Sequence, residues 1–531
     1  VQNSDVQMNT LLHPTIRVTA ADGTAAILTL PEVFAWTMLD RVASFPALRP
    51  HQRHAWHSFL VLLAANALHR AALVDPPETA PEWCDLLRRL TPNDEDDAPW
   101  CLVGPPNRPA LLQPPIPSGA LGELKNVVAT PDALDMLVTA KNHDLKQAVM
   151  MSAQPDDWLF ALLTLQTMEG FLGAGNYGIS RMNGGFANRA ALGIAPGDRP
   201  GAHVRRDLRR LLALRGKLRG ATGYATDDGL ALVWLTPWDG TTSLRQDVLD
   251  EWYIEICRRV RLTLADGAFG ARTVGSKVPR ILPILGGVTG DPWSPIVLEK
   301  GGAAKSLTVD ARGFGYRRMV DLMFAESGLQ PSPLQQPDLT DEPEGLQLVA
   351  RALVRGQGKT EGLHERRVPL SRRAARRGPG LGAATDPASE AARERVRLAG
   401  EVQDRVLKPA LLSLFQNGPP QIDFRNKESN RKAETFLHQF DSLVDATFFE
   451  DLWAETDQDA PEARQRERSV WVARLISHAT GLLHDAEAGA ARSSRRRFRA
   501  SVRASDRLQA GVHFNVFLKP YLEEAKPRDG A

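Results

Sequence analysis

Ser371-Arg372-Arg373-Ala374-Ala375-Arg376-Arg377-Gly378-Pro379-Gly380-Leu381-Gly382-Ala383-Ala384-Thr385-Asp386-Pro387-Ala388 separates two kinds of sequence. Arginine, glycine, alanine and proline crowd out large apolar residues here, which reads as a linker. Beyond it, Glu390–Gln416, Lys427–Phe449, Pro461–Ala486 and Ala488–Glu524 carry helical apolar spacing with short breaks such as Asn417-Gly418-Pro419-Pro420. That pattern predicts a four-helix bundle over 385–531. Before the linker, 1–384 predicts a mixed domain. A strand pair, Thr15–Val18 and Ala26–Leu30, flanks the turn Ala21-Asp22-Gly23, and Leu30-Pro31-Glu32 opens a helix. Ala55–Ala72 fits a buried helix, and the proline-rich stretch Ala98–Pro117 a connector. Thr130-Pro131-Asp132 starts a helix over Ala133–Ala140, and the helix Pro155–Glu169 runs into a glycine-rich loop, Gly170–Gly185. Leu230–Leu235, Ile281–Ile284 and Ser294–Leu298 read as strands, and Gln246–Leu264 as an amphipathic helix. No strict strand-helix alternation appears, so the fold class is α+β: helices and short antiparallel strands, followed by a C-terminal four-helix bundle.

A chain of 531 residues has room for two or three domains, and 43% hydrophobic with 24% charged residues is the balance of a folded globular protein. Val1–Thr10 is polar and no run reaches the roughly 18 apolar residues of a membrane span, which predicts a cytoplasmic protein with no membrane partner. Cys84, Cys101 and Cys257 are widely spaced, with no Cys-x-x-Cys pair, and read as buried reduced thiols.

The net charge of +2 conceals clusters. Arg205, Arg206, Arg209, Arg210, Arg215, Lys217 and Arg219 face one acid, Asp207. Arg355, Lys359, Arg366, Arg367, Arg372, Arg373, Arg376 and Arg377 face Glu361 and Glu365. Arg495–Arg497, Arg499 and Arg503 form a third group. Any one cluster is compatible with a solvated face paired to acids elsewhere; three together favour a polyanionic partner.

Two catalytic motifs fail on context. Gly173-Ala174-Gly175-Asn176-Tyr177-Gly178 spells a dinucleotide fingerprint, with Asp198 at the spacing of a ribose ligand, but a helix precedes it and Asp198 sits in a turn. Gly356-Gln357-Gly358-Lys359-Thr360 ends like a phosphate-binding loop, but Leu353 stands where the opening glycine belongs, and the preceding segment reads as helix. His51, His54 and His57 share one side of a helix, yet the outer pair is nearly two turns apart and no acid or cysteine nearby completes a metal site, so they read as ordinary histidines on the surface of a helix N-terminus. The acidic run Asp94–Asp97 reads as exposed and lacks calcium-ligand spacing. No catalytic set emerges. A nucleotide-dependent enzyme and a protein-binding scaffold are the competing classes.

The order of the segments carries a resemblance. The N-terminal strand pair is followed by Asn126–Val138 and Lys141-Asn142-His143-Asp144-Leu145-Lys146-Gln147, then by Gly170–Arg189 with Asn183-Gly184-Gly185-Phe186. Arg205-Arg206-Asp207-Leu208-Arg209, Leu232–Trp238, Asp291-Pro292-Trp293-Ser294-Pro295 and finally Arg355–Arg367 come next. This resembles the CasA-like large subunit of the type I-E CRISPR Cascade complex over nearly the whole chain. The resemblance implies a subunit without catalysis that recognises the protospacer-adjacent motif of double-stranded DNA from the minor groove. It also implies help in opening the duplex and forming the R-loop, steering of the displaced non-target strand, and recruitment of a helicase-nuclease in trans. Its partners would be the crRNA-guided backbone and small subunits and the region of the crRNA 5′ end. Asn183, Gly184, Gly185, Lys277, Arg280, Gln357, Gly358, Lys359 and Thr360 become the motif-binding residues. Lys141, Asn142, His143 and Lys146 become a first DNA-contacting loop, and Arg205, Arg206, Arg209, Arg366, Arg367, Arg372 and Arg373 basic patches. Glycines permit the close backbone approach that minor-groove reading needs. Gln357 suits a wedge beside the Lys359 cation, and guide pairing would read the remaining sequence. The paired cysteines of some members are absent, and no cofactor or metal is implied.

Overall fold

The computed structural model describes residues 8–135, 150, 152–184, 188–216, 223–299, 301–325, 328–356, 359–378, 386–488 and 494–524. The chain divides into two compact units, Val1–Phe314 with Ser327–Val368, and Gly315–Glu326 with Pro369–Ala531.

The first unit opens with strands β1 (Ile16–Ala20), β2 (Ala25–Leu28) and β3 (Val42–Ser44), paired in the order β2-β1-β3. Helix α1 (Leu30–Met38) starts where Thr29 and Glu32 form a reciprocal capping box around Pro31. Helix α2 (Arg53–Arg70) is apolar on nearly every side and is buried almost throughout. Around it lie α3 (Ala80–Arg88), α4 (Pro155–Met168) and α5 (Pro200–Leu214). Arg17 of β1 reaches across 139 positions to grip Asp156 in the first turn of α4 with bonds of 2.8 to 3.0 Å.

The strands β4 (Asn126–Val128), β5 (Ala191–Pro196), β6 (Leu230–Leu232), β7 (Leu249–Ile254), β8 (Arg259–Ala265), β9 (Ala268–Val274), β10 (Ile296–Leu298), β11 (Ala304–Ser306), β12 (Leu329–Gln330), β13 (Leu346–Gly356) and β14 (Lys359–Pro369) form small sheets. Their orders are β4-β9-β8, β6-β7, β11-β10-β12 and β14-β13-β5.

Four expectations change here. The helix read over Gln246–Leu264 is instead β7 and β8, and β8 turns into β9 at Asp266-Gly267, both with positive φ, the tight turn such a hairpin requires. Ile281–Ile284 contributes one bridge, Leu244 to Ile281, and no strand. The segment before Gly356, read as helix, is the long strand β13. A phosphate-binding loop is still excluded, because Lys359 opens another strand and no helix N-terminus follows. Gly173–Gly178 likewise follows a helix, α4, and leads to no helix. Asp97 of the supposedly exposed acidic run is buried and bonds Asn9 and Arg88.

In the second unit the helices Pro387–Glu401 and Lys408–Phe415 join through a wider turn of helix, Val402–Leu407. Lys427–Thr456, Pro461–Glu487, Ser494–His513 and Lys519–Glu524 follow. Phe440, Val444, Phe448, Leu452, Trp471 and Leu475 fill the core they share. The expected boundary at 384/385 differs from the observed division. The helix Tyr316–Met323 packs with the bundle, where the Tyr316 N–H donates to Asp445 at 2.6 Å. Ser371 caps the short helix Arg372–Arg376, whose Ala374 and Ala375 are buried, and its hydroxyl bonds Asp457. The start of the linker is thus part of the second unit.

Candidate nucleic-acid interface

The glycine loop is closed at its base and open at its tip. Ile179 N–H donates to Glu169 O at 3.0 Å, which brings the ends of 169–179 together. Gly178 lies so near Gly170 that an added Cβ would sit 2.5 Å from its carbonyl carbon. The buried Arg258 clasps the loop from inside, donating to Gly170 O at 3.0 Å and to Tyr177 O. On the outer side the loop is stitched to the 275–277 segment: Ser276 N–H bonds Gly175 O, and the Tyr177 hydroxyl bonds Lys277 O, each at 3.0 Å. Lys277 stands exposed beside the loop, and no acid among the described residues pairs with it.

The chain is then pinned twice. Ser180 N–H donates to Glu255 at 2.6 Å, and the Arg181 guanidinium lies 4.1 Å over the Tyr253 ring while donating to Tyr253 O. Burial pushes the Glu255 carboxyl up to about 7, against Arg181 and the Ser180 bond. Further on, Asn188 exchanges bonds with Val309, and Arg189 forms a two-pronged pair with Asp291 at 2.6 and 2.9 Å. Between these anchors Asn183 is half-buried and Gly184 exposed. Gly184 has φ +87°, and an added Cβ there would meet nothing within 4 Å.

Strand β5 pairs antiparallel with β13, from Pro196 opposite Leu346 to Ala191 opposite Arg351. The N-terminal end of β5 and the C-terminal end of β13 therefore share one end of the sheet. Arg355, late in β13, links the loop base to β14: it lies 3.3 Å from Glu169 and donates to the Thr360 hydroxyl at 2.8 Å.

No family model matches the chain, and no curated protein matches it. Solved structures do. The chain matches Thermus thermophilus CasA (Cse1) with a TM-score of 0.64 at 16% identity, over 96% of this chain and 99% of that one. The chain has the CasA/Cse1 fold. Cse1 of Acidimicrobium ferrooxidans matches with a TM-score of 0.63 at 14% identity, over 98% of this chain and 99% of that one. A chain of a structure described as a CRISPR RNA-guided surveillance complex matches with 0.58 at 16% identity, over 95% and 99%.

On this CasA/Cse1 fold the sequence-derived residues separate into groups. Asn183, Gly184 and Lys277 are surface features of the glycine loop and its neighbour. Thr360 is buried, with its hydroxyl turned to Arg355. Gly185, Gln357 and Gly358, the Lys359 side chain, and Lys141, Asn142, His143 and Lys146 lie outside the described residues. Asp132 and Asp135, just before that last segment, are gripped by Arg49 and His51.

Several predicted cations belong to the fold instead. Arg280 is buried, spends its donors on the carbonyls of Val233, Thr236 and Pro237, and lies over the Trp238 ring. Arg206 is 3% exposed and pairs with Asp207 and Asp341. Arg209 pairs with Asp341, Arg210 with Asp338 and Arg215 with Asp250, while Arg205 donates to the carbonyls of Thr37 and Met38. The basic run of α5 is therefore answered by acids and carbonyls distant in sequence. Arg367 pairs with Glu365 and Asp198, and Arg366 is half-buried on the same strand. In the second unit Arg372 is exposed and Arg373 pairs with Asp459. Arg495, Arg496 and Arg497 stay exposed, without an acid partner among the described residues. Sequence reasoning missed Glu169 and Arg258 and read Arg355 only as one cation of a basic cluster; the Arg258 bonds to Tyr177 and Gly170 span 81 and 88 positions, and Arg355 meets Glu169 from still farther along the chain, so no local spacing marks these roles.

No helix among the described residues is long and apolar enough to cross a membrane.

Proposed function

We propose that this chain serves as the large subunit of a type I-E Cascade and inspects duplex DNA for the protospacer-adjacent motif. The observation that supports this reading is Arg355, late in β13, which reaches both Glu169 at the foot of the glycine-rich loop and Thr360 of β14, within a fold shared over nearly its full length with CasA/Cse1 structures. The Gly184 backbone enters the minor groove, where few donors suffice because that groove's code is degenerate. Lys277 and Lys359 neutralise phosphates, and Gln357 wedges the opening duplex. Lys141, Asn142, His143 and Lys146 supply a further DNA contact. The chain performs recognition, not catalysis. Its partners are the crRNA-guided backbone and small subunits, the crRNA 5′ region, the displaced strand and a helicase-nuclease recruited in trans.

The test uses the assembled complex and targets with and without an accepted flanking motif, intact or with a pre-opened bubble. Gly184→Asp abolishes binding to intact motif-bearing duplex, Lys359→Ala weakens all targets and makes the salt dependence shallower, and Gln357→Ala is rescued by the bubble. Normal binding by Gly184→Asp overturns the reading.

A further inference from the structure

We propose that His57, His203 and Asp207 form a divalent-metal site of the kind Zn²⁺ fills, between α2 and α5. His203 and Asp207 are four residues apart on α5 and so share one face, and α2 presents His57 to that face. One ligand atom from each lies within 4.8 Å of the others. The His57 and His203 rings stack with centroids 4.0 Å apart, and both turn Nε2 toward the same carboxylate oxygen, Asp207 Oδ2, at 2.9 and 3.4 Å.

Hydrogen bonding alone leaves this arrangement unsatisfied. Asp207 Oδ2 also accepts the Trp293 indole N–H at 3.0 Å, so three nitrogens converge on an oxygen with two lone pairs. His203 Nε2 is the loser and makes no hydrogen bond. A nitrogen lone pair directed at a cation answers the crowding, since a metal takes both imidazoles and the carboxylate together. On the β5 side the residue facing the site is Gly193, which has no side chain to fill it; an added Cβ there would sit 3.8 Å from His203 Nε2. Arg206 holds the other oxygen, Oδ1, at 3.2 Å and fixes the carboxylate's orientation, while Asp341 balances the Arg206 charge. His54, one turn before His57 on α2, is buried with its Nε2 also unpartnered, and is the nearest candidate for a fourth ligand.

The experiment takes the full chain, stripped with a chelator and titrated with Co²⁺, then with Zn²⁺. One equivalent of Co²⁺ is expected to bind with the visible ligand-field absorption of a low-coordinate site, to shift the ring signals of at least two histidines in the paramagnetic proton spectrum, and to be displaced by Zn²⁺. His203→Ala and Asp207→Asn lose the bound equivalent; His69→Ala, which removes a half-buried imidazole near the far end of α2, retains it. Sub-stoichiometric binding by the folded native chain overturns the proposal, as does undiminished binding by His203→Ala. Should the two ligand variants fail to fold, the native chain decides: fewer than two shifted histidines overturns the site.

Discussion

The guanidinium of Arg355, near the end of β13, stands 3.3 Å from a carboxylate oxygen of Glu169 at the foot of the glycine loop, both side chains being less than 5% exposed. Burial raises the Glu169 pKa, and the charges of Arg355 and Arg258 oppose the rise. Arg355→Met removes the carboxylate's largest opposing charge, leaving Arg258, and is expected to destabilise the first unit by about 3 kcal/mol, read by urea unfolding. The double variant with Glu169→Gln recovers part of that loss.

Two glycines of one loop separate conformational strain from steric exclusion. At Gly184 an added Cβ touches nothing, so Gly184→Ala costs only the positive φ, about 1 kcal/mol. At Gly178 the same methyl meets Gly170 backbone, and Gly178→Ala costs about 1–3 kcal/mol through displaced packing. Thermal unfolding of the two variants, side by side, checks the order.

Glu255 makes stability depend on pH in an unusual direction. Its folded pKa, raised by burial to about 7, exceeds the ordinary 4.5, so the folded state binds the proton more tightly. This contribution is fully present below the unfolded pKa and is lost as pH rises through 7, on the order of 3 kcal/mol in all. Glu255→Gln is expected to flatten that fall between pH 5 and 8, measured as unfolding free energy against pH.

The three cysteines are buried, and burial pushes the Cys257 thiol up to about 12 and Cys101 up to about 11, with Cys84 raised as well. Thiolate is the reactive form. Iodoacetamide at pH 8 is expected to leave all three unmodified in the native chain and to label all three in denaturant, as mass spectrometry would show.

The comparison of sequence with structure turns on where the deciding partners lie. The second unit's helices were legible because the apolar spacing of residues such as Phe440, Val444 and Phe448 is written within each helix. The same rule misled at β7: Leu249, Trp252, Tyr253, Ile256 and Val260 imitate a helical face. The strand is instead buried along its whole length, and Asp250 and Glu251 are admitted to the interior because Arg215 meets them.

The sequence by itself determined the class of fold, the order of its segments, the demand for glycine in the 170–185 loop and the positions of its breaks, because these rest on local conformation and short-range periodicity. Only the tertiary structure decided which arginines are free. Arg206, Arg209, Arg210 and Arg215 form a basic run in the chain, yet Asp341, Asp338 and Asp250 neutralise them from more than 30 positions away. It alone brought Arg355 of β13 to Glu169 at the foot of the glycine loop and gathered His57 with His203 and Asp207 across two packed helices. Charge and ligation act through distance in space, which a linear pattern does not encode.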